Sequence, residues 1–283
     1  MSPSDDRAHR LPAEPDALPL PVVDNHAHLD MVRDDGPSLP LEGALAAAAR
    51  VGVDRVVQIG CERESARASV AMAHRFASVV AGIALHPNEV PRLSARGELT
   101  EAYAEIEALA GDPRVRVIGE TGLDYFRTGP EGRAIQQDAF RWHIELAKRT
   151  GKVLQIHDRD AHADVLALLD SEGAPPQTVM HCFSGDIEFA RACVDRGFWL
   201  SYAGPITFKN NHALRDALAV TPLDRVLVET DAPYLTPQPW RGAVNSSYLL
   251  PHTVRASAAV LGVATATLCA AVSDNAEALY GPW

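Results

Sequence analysis

The stretch VLQIHDRD, residues 153–160, contains the pattern that decides the fold of this chain. Residues 153–156 form a short, largely apolar run, and polar side chains follow it at once, beginning with His157. Runs of this kind are typical of strands that are buried on both faces of a parallel sheet. We therefore predict a strand over residues 153–156 with His157 at its carboxyl end.

The same pattern recurs along the chain. Seven further runs of this type lie at 22–25, 55–59, 78–85, 115–119, 178–180, 198–202 and 225–228. Segments with helical spacing of apolar residues separate them, for example 131–150, which carries Ile135, Ala139, Trp142 and Leu146. An open doubly wound sheet also alternates in this way, but eight strand–helix units in one chain favour closure into a barrel.

The sequence therefore predicts an α/β fold, a single-domain (β/α)₈ TIM barrel over residues 21–283. A barrel of this kind takes about 250 residues, which fits that length. Residues 1–20 are rich in Pro, Asp and Ala, and we predict a flexible N-terminal tail there.

Composition narrows the class of protein. The formal net charge of −11 argues against a protein that coats nucleic acid through a broad basic surface. The four cysteines form no CxxC pair, which favours reduced thiols in a cytoplasmic protein. The first 20 residues lack a signal-peptide core, and no run reaches the roughly 18 apolar residues of a membrane span. We expect a cytoplasmic protein without membrane association or an obligate protein partner.

Residues able to bind metal ions follow the predicted strands. They are His26 and His28 after the first strand, His86 after the third, Glu120 after the fourth, His157 after the fifth, His181 after the sixth and Asp231 after the eighth. A single histidine at a strand end is more often a hydrogen-bonded core or rim residue than a metal ligand. Catalytic groups of barrels come from the carboxyl ends of several strands, so the whole set predicts one shared site.

At these positions the chain resembles a known family. The matching stretches are DNHAHLD (24–30), GIALHP (82–87), IGETGLDYF (118–126), QIHDRDA (155–161), MHCFSG (180–185) and ETDAPYLTPQPWRGAVN (229–245). Together they resemble the TatD family of metal-dependent deoxyribonucleases, a branch of the metallo-dependent amidohydrolase superfamily. The resemblance covers about residues 22–280.

The resemblance implies a site for two divalent metal ions. His26, His28 and Asp231 would bind one ion, His157 and His181 the other, and Glu120 would bridge the pair. Four further residues would line the substrate path: His86, Arg159, Lys209 and Arg241.

Ligand type bears on the metal and the mechanism. Four imidazoles and two carboxylates suit Zn²⁺, Mn²⁺, Fe²⁺ or Ni²⁺, whereas Mg²⁺ prefers oxygen ligands. The resemblance nevertheless implies nuclease activity that Mg²⁺ supports. Two ions that share a water lower its pKa and make it a nucleophile. We expect Asp231 to accept a proton from that water, and we count Asp231 and the bridging Glu120 as the catalytic residues.

Three functions are open at this point. The first is a DNase that hydrolyses phosphodiester bonds exonucleolytically at single-stranded DNA ends. The second is a small-molecule hydrolase that cleaves an amide, lactone or aminoacyl ester with the same metals, which the net acidity mildly favours. The third is a non-catalytic metal-binding or scaffold protein, which the complete ligand set disfavours.

Overall fold

Eight parallel strands form the centre of the molecule. The structure is a computed structural model that describes residues 11–33 and 36–283. The strands pair in chain order from β1 to β8. Their bounds are Val22–Ala27 (β1), Val53–Gly60 (β2), Val79–Ile83 (β3), Val115–Asp124 (β4), Val153–Arg159 (β5), Thr178–Met180 (β6), Trp199–Tyr202 (β7) and Val226–Val228 (β8).

Helices follow each strand and surround the sheet. They are Leu41–Arg50 (α1), Arg63–Arg75 (α2), Val90–Ala95 (α3), Leu99–Leu109 (α4), Pro130–Thr150 (α5), His162–Glu172 (α6), Ile187–Asp195 (α7), His212–Val220 (α8), Leu250–Leu261 (α9) and Thr265–Tyr280 (α10). Three short 3₁₀ turns cover Gly204–Thr207, Leu223–Arg225 and Ser247–Leu249. The predicted (β/α)₈ barrel is confirmed.

The last strand returns to the first. A parallel bridge joins Ala27 to Ala232, and the main chain makes two further bonds there, from Asp231 N to His26 O and from His28 N to Ala232 O. These bonds place the segment after β8 beside the end of β1. They nearly close the barrel at the end where the strands have their carboxyl termini, which we call the barrel mouth.

The barrel interior is filled by branched side chains rather than by a channel. Val23, Val57, Val117 and Val179 are all less than 1% exposed and belong to one apolar cluster. Tyr280 from the end of α10 packs against this cluster. A larger apolar cluster lies mostly between the strands and the surrounding helices. The mouth therefore stands on a rigid, fully packed base.

Strand β4 is longer than the sequence predicts. The apolar run 115–119 forms its first half, but the strand continues to Asp124 because Gly122, Leu123 and Asp124 pair with residues 157–159 of β5. Glu120 therefore lies inside the strand and not beyond its end. The β4–β5 register shifts between Ile118 and Thr121, and such an irregularity redirects a side chain next to a site.

No single helix in residues 11–33 and 36–283 is long and apolar enough to cross a membrane. By length and composition alone, one bent pair of helical segments meets the requirement, Ser247–Leu261 with Thr265–Tyr280, at an angle of 108°.

Residues 11–20, part of the predicted flexible tail, contact the barrel. Residues 1–10 lie outside the described part of the chain, whereas residues 11–20 lack helix and strand but are attached to the barrel. Leu18 is 7% exposed and its N–H donates to the carbonyl of Val51 at 2.9 Å. The hydroxyl of Tyr248 donates to the carbonyl of Pro12 at 2.8 Å. The buried Leu18 and these hydrogen bonds attach the segment to the barrel, although its composition is rich in Pro, Asp and Ala.

Leu18→Ala should measure how firmly this segment is attached. Removal of a buried leucine side chain costs about 2–3 kcal/mol of the free energy of unfolding. Leu20→Ala is the matched control, because Leu20 is 43% exposed and its loss should cost about 0.5 kcal/mol or less. Urea unfolding of the two variants gives the comparison. Equal stability of both would mean that residues 11–20 are free in solution.

Candidate metal centre

The end of β1 supplies two buried histidines. His26 is fully buried and His28 is 5% exposed, and their Nε2 atoms lie 3.2 Å apart. The β1–β2 register shifts between Asp24 and Ala27, so the strand is irregular where His26 lies. The main-chain bonds to the segment after β8 hold both residues in place.

A buried carboxylate fixes that neighbouring segment. Asp24 accepts hydrogen bonds from the Thr230 N–H at 2.9 Å and from the Thr230 hydroxyl at 2.6 Å. Burial raises the pKa of Asp24 to about 6, although the bonds from Thr230 favour its charged form. The next residue, Asp231, has φ of +54°, a left-handed conformation that few non-glycine residues adopt. The fold maintains this conformation where Asp231 faces the two histidines.

Four ligand atoms gather on one side of Glu120. Oε2 of Glu120 lies 3.5 Å from His26 Nε2 and 3.8 Å from His28 Nε2. Oδ1 of Asp231 lies 3.7 and 3.6 Å from the same two nitrogens. Tetrahedral ligands of one ion at bond lengths of about 2.0–2.2 Å are about 3.3–3.6 Å apart, close to these distances. The spacing and the nitrogen–oxygen donor set therefore fit a divalent cation.

The other oxygen of Glu120 faces a second group of histidines. Oε1 lies 2.6 Å from His157 Nδ1, 3.2 Å from His181 Nε2 and 3.5 Å from His86 Nε2. The tight clusters of possible ligand atoms combine Glu120 with His26 and His181, and separately with His86 and His157. All six predicted ligands thus meet at Glu120, but the described residues do not place His157 and His181 in one tight cluster.

Hydrogen bonds on the far side of three rings set the tautomers. Nδ1 of His26 lies 2.7 Å from Oε1 of Gln155. The side-chain amide N–H of Gln155 in turn donates to the carbonyl of Asn25. Nδ1 of His28 lies 3.1 Å from the carbonyl of Ile59. These acceptors require a proton on Nδ1, so each Nε2 keeps its lone pair for a metal.

His181 follows the same rule. Its Nδ1 lies 2.8 Å from Oε1 of Glu229, a carboxylate that is fully buried. Its ring stacks on that of His26 with centroids 3.6 Å apart. The stacked rings present their Nε2 atoms to the two oxygens of one carboxylate, Glu120.

His86 has the opposite tautomer. Its Nδ1 accepts a hydrogen bond from the Asn88 N–H at 3.1 Å, so the proton of the neutral ring is on Nε2. His86 therefore directs an N–H, and not a nitrogen lone pair, toward Oε1 of Glu120. Although His86 lies among the ligand atoms, it is therefore better suited to donate a hydrogen bond than to bind a metal.

His157 lies between two carboxylates. Its Nδ1 faces Glu120, and its Nε2 lies 3.2 Å from Oδ2 of Asp124. Burial alone would lower the pKa of His157, but the hydrogen bonds to Asp124 and Glu120 outweigh it and raise that pKa to about 9. Asp124 also accepts from the Arg127 N–H and the Asn88 amide, so His157 is held firmly from its outer side.

The carboxylates are charged in this environment. Burial opposes ionisation of Glu120, but the neighbouring imidazoles of His181, His86 and His157 hold its pKa well below the usual value. Burial likewise opposes ionisation of Asp231, but its contacts with His28 and the neighbouring imidazoles lower its pKa. Deprotonated carboxylates are the form that binds cations and accepts protons.

Two cysteines adjoin the centre. Sγ of Cys61 lies 3.6 Å from Glu120 Oε2 and 3.9 Å from His28 Nδ1, a proximity that our sequence reasoning missed. Burial raises the pKa of the Cys61 thiol to about 12 and that of Cys182 well above its usual value. Both are therefore neutral thiols, which are poor nucleophiles.

The predicted substrate-lining cations lie around the mouth. Arg159 ends β5, while Lys209 and Arg241 line a surface cavity together with Phe208, Asn210, Asn211 and Gln238. All three cations are exposed, and none forms an ion pair with another described residue. The guanidinium of Arg241 lies over the Phe208 ring at 4.5 Å.

Sequence reasoning missed the residues that orient the ligands. Gln155, Asp124 and Glu229 lie within the quoted stretches, but no role was assigned to them. A signal existed for two of them, since a polar residue at the centre of an apolar strand, such as Gln155, or directly before a buried turn, such as Glu229, needs a buried partner.

A parallel barrel with a histidine- and carboxylate-rich centre at its mouth defines a metal-dependent hydrolase. The chain belongs to the TatD family, since the sequence model of the TatD related DNase family matches residues 23–281.

Relatives and a solved structure agree with this assignment. A Mycobacterium tuberculosis protein named "Uncharacterized metal-dependent hydrolase TatD" is 44% identical over 266 residues, covering 92% of this chain and 98% of that protein. A Cronobacter turicensis protein named "3'-5' ssDNA/RNA exonuclease TatD" is 36% identical over 243 residues, covering 83% of this chain and 90% of that protein. The crystal structure of YJJV, a TatD homologue of Escherichia coli, shares the fold with a TM-score of 0.82 at 24% identity. The match covers 92% of this chain and 97% of that chain.

Glu229→Gln should loosen the centre without removing a ligand. The substitution weakens the contact that orients the His181 ring, and loss of such outer partners typically lowers metal affinity about 10- to 100-fold. Competition with a chelator measures the affinity. The control is Glu188→Gln on α7, an exposed glutamate, which should bind metal like the wild type. Unchanged affinity in Glu229→Gln would show that Glu229 does not orient a ligand.

Proposed function

We propose that this metal-dependent hydrolase is an exonuclease that hydrolyses phosphodiester bonds at single-stranded DNA ends with two divalent ions. The observation that supports it best is the position of Glu120. Its two oxygens face different imidazoles, Oε2 those of His26 and His28 and Oε1 those of His157 and His181. A carboxylate placed in this way is suited to bridge two ions.

We propose the following ligands for each ion. His26, His28 and Asp231 would hold one, His157 and His181 the other, with Glu120 shared. When bound, such a pair supplies a water of lowered pKa and neutralises the charge that develops on a phosphodiester. The nitrogen-rich ligand set favours Zn²⁺, Mn²⁺, Fe²⁺ or Ni²⁺ in the purified protein, and Mg²⁺ can support activity.

Asp231 is the proposed proton acceptor. Its pKa is lowered, so the carboxylate is unprotonated at neutral pH. Oδ1 faces His26 and His28, and the side chain is 16% exposed. The second oxygen, Oδ2, can therefore accept the proton of the attacking water. His86, with its proton on Nε2, can donate a hydrogen bond to a phosphate oxygen beside Glu120.

The substrate preference rests on charge and on one relative. Arg159, Lys209 and Arg241 form no ion pair within residues 11–33 and 36–283, and they lie at the mouth of a protein with a net charge of −11, a place suited to phosphates. The Cronobacter turicensis relative carries the name of a 3'-5' exonuclease acting on single-stranded DNA and RNA. An amide, lactone or aminoacyl ester would need no such cations.

Release of nucleotides tests the proposal directly. The metal-loaded protein should shorten end-labelled single-stranded DNA one nucleotide at a time and leave a circular single strand of the same sequence intact. Asp231→Asn should lose most of this activity, since an amide does not accept the proton. Hydrolysis of a neutral ester or lactone without any hydrolysis of DNA would support the small-molecule alternative instead.

Glu120→Gln should lower occupancy at both metal positions, because one carboxylate oxygen serves each group. Elemental analysis after dialysis against a limiting metal concentration measures the ions per chain. Glu64→Gln, an exposed glutamate on α2, is the control and should keep the wild-type stoichiometry. Loss of one ion with full retention of the other would assign the bridge to a different residue.

Lys209→Ala and Arg241→Ala should raise KM for DNA and weaken its salt dependence. Each lost phosphate contact reduces the slope of log affinity against log salt by about 0.7 for a single strand. Metal content should stay unchanged, because neither residue is a ligand. Arg191→Ala, an exposed arginine on α7, is the control. Equal salt slopes in wild type and both variants would exclude these cations from DNA binding.

A further inference from the structure

Two exposed aromatic rings stand at the barrel mouth. Among the described residues, the large apolar side chains that are exposed are Leu20, Val32, Phe126 and Tyr234. Phe126, at 62%, is the most exposed of the four. It comes two residues after Asp124, which contacts His157, and Tyr234 comes three residues after Asp231. Single exposed apolar residues are ordinary, but these rings lie directly beside the metal centre.

Pairing between β4 and β5 fixes where Phe126 lies. Asp124 pairs with Arg159, and the N–H of Tyr125 donates to the carbonyl of Arg159 at 2.9 Å. Arg159 is two residues after His157 on the same strand, so both side chains point to the same side of β5. Phe126 and Arg159 therefore stand together at the mouth, on the side of the second histidine group.

The two side chains form a stacked pair. The guanidinium carbon of Arg159 lies 3.9 Å from the centroid of the Phe126 ring. No ion pair neutralises Arg159 within the described residues, and most of the Phe126 surface remains in contact with solvent. A planar cation and an open ring at one point combine the two interactions by which proteins hold unpaired nucleotides, phosphate contact and base stacking.

We infer that Phe126 and Arg159 bind one unpaired nucleotide of the substrate strand, with its base stacked on Phe126 and its phosphate near Arg159. This inference rests on the proposed function and names a residue, Phe126, that the nuclease assignment does not require. A base inside a duplex is already stacked on both faces, so this subsite favours single strands over duplex ends. It is indifferent to base identity, since every base has a stacking face.

Abasic oligonucleotides test the stacking directly. In a series of single-stranded oligonucleotides, one nucleotide near the attacked end lacks its base, at a different position in each. For the wild type, we expect one position at which loss of the base raises KM about tenfold. Phe126→Leu should raise KM about tenfold on the intact oligonucleotide and should show no additional rise at that abasic position.

Two further variants serve as comparisons. Phe126→Trp should restore nearly wild-type KM, because indole offers a larger stacking face. Leu20→Ala removes an exposed apolar side chain before β1, at the opposite end of the barrel, and should behave like the wild type. Thermal unfolding should give the same midpoint for Phe126→Leu and wild type, as the ring is mostly exposed.

The outcomes separate the two proposals. Two results would overturn the stacking subsite and leave the exonuclease proposal intact. One is a wild-type KM for Phe126→Leu, and the other is that the rises in KM from the abasic position and from Phe126→Leu multiply when combined. A wild-type protein that releases no nucleotides from any oligonucleotide but hydrolyses a neutral ester would overturn the proposed function, and the subsite with it.

Discussion

The charge of one buried side chain organises the centre of this protein. Glu120 is 4% exposed, and an isolated carboxylate at that depth would be protonated. The imidazoles of His181, His86 and His157 reverse this tendency and hold its pKa well below the usual value. Each of these rings comes from a different strand, so the charge of Glu120 depends on correct closure of the barrel. Fold and site are therefore energetically coupled at this residue.

A second set of contacts makes the arrangement specific. Gln155 and Ile59 accept from the outer nitrogens of His26 and His28, and Oε1 of Glu229 lies 2.8 Å from the outer nitrogen of His181, so all three Nε2 atoms face inward. A ring free to rotate or exchange tautomers would present its N–H half of the time. Full burial of Gln155 and Glu229 removes water as a competing partner, which strengthens these bonds.

Much of the fold and the proximity of the candidate ligands could be predicted from the sequence, because both depend on local signals. Apolar runs of strand length are visible one at a time, and a polar residue directly after such a run must lie at its carboxyl end. His157 after residues 153–156 is the plainest case. The extent of β4 and the packing of residues 11–20 could not be predicted, because pairing with β5 and burial of Leu18 are tertiary contacts. The tautomer of His86 likewise depends on where the Asn88 N–H points.

The net negative charge of the protein is compatible with its proposed nucleic-acid substrate, because most surface charges lie far from the barrel mouth. At physiological ionic strength the Debye length is about 8 Å, so exposed charges on the far helices act weakly at the mouth. Most surface arginines are also neutralised locally, as Arg63 is by Glu105 and Arg196 by Asp170. Arg159, Lys209 and Arg241 have no such partner among the residues that the structure describes, and they follow β5, β7 and β8 toward the mouth. The potential that a substrate meets near the metals is therefore determined by these few cations and any bound metal ions. The net charge of −11 disfavours binding of a polyanion elsewhere on the surface, which is compatible with the proposed binding at the mouth.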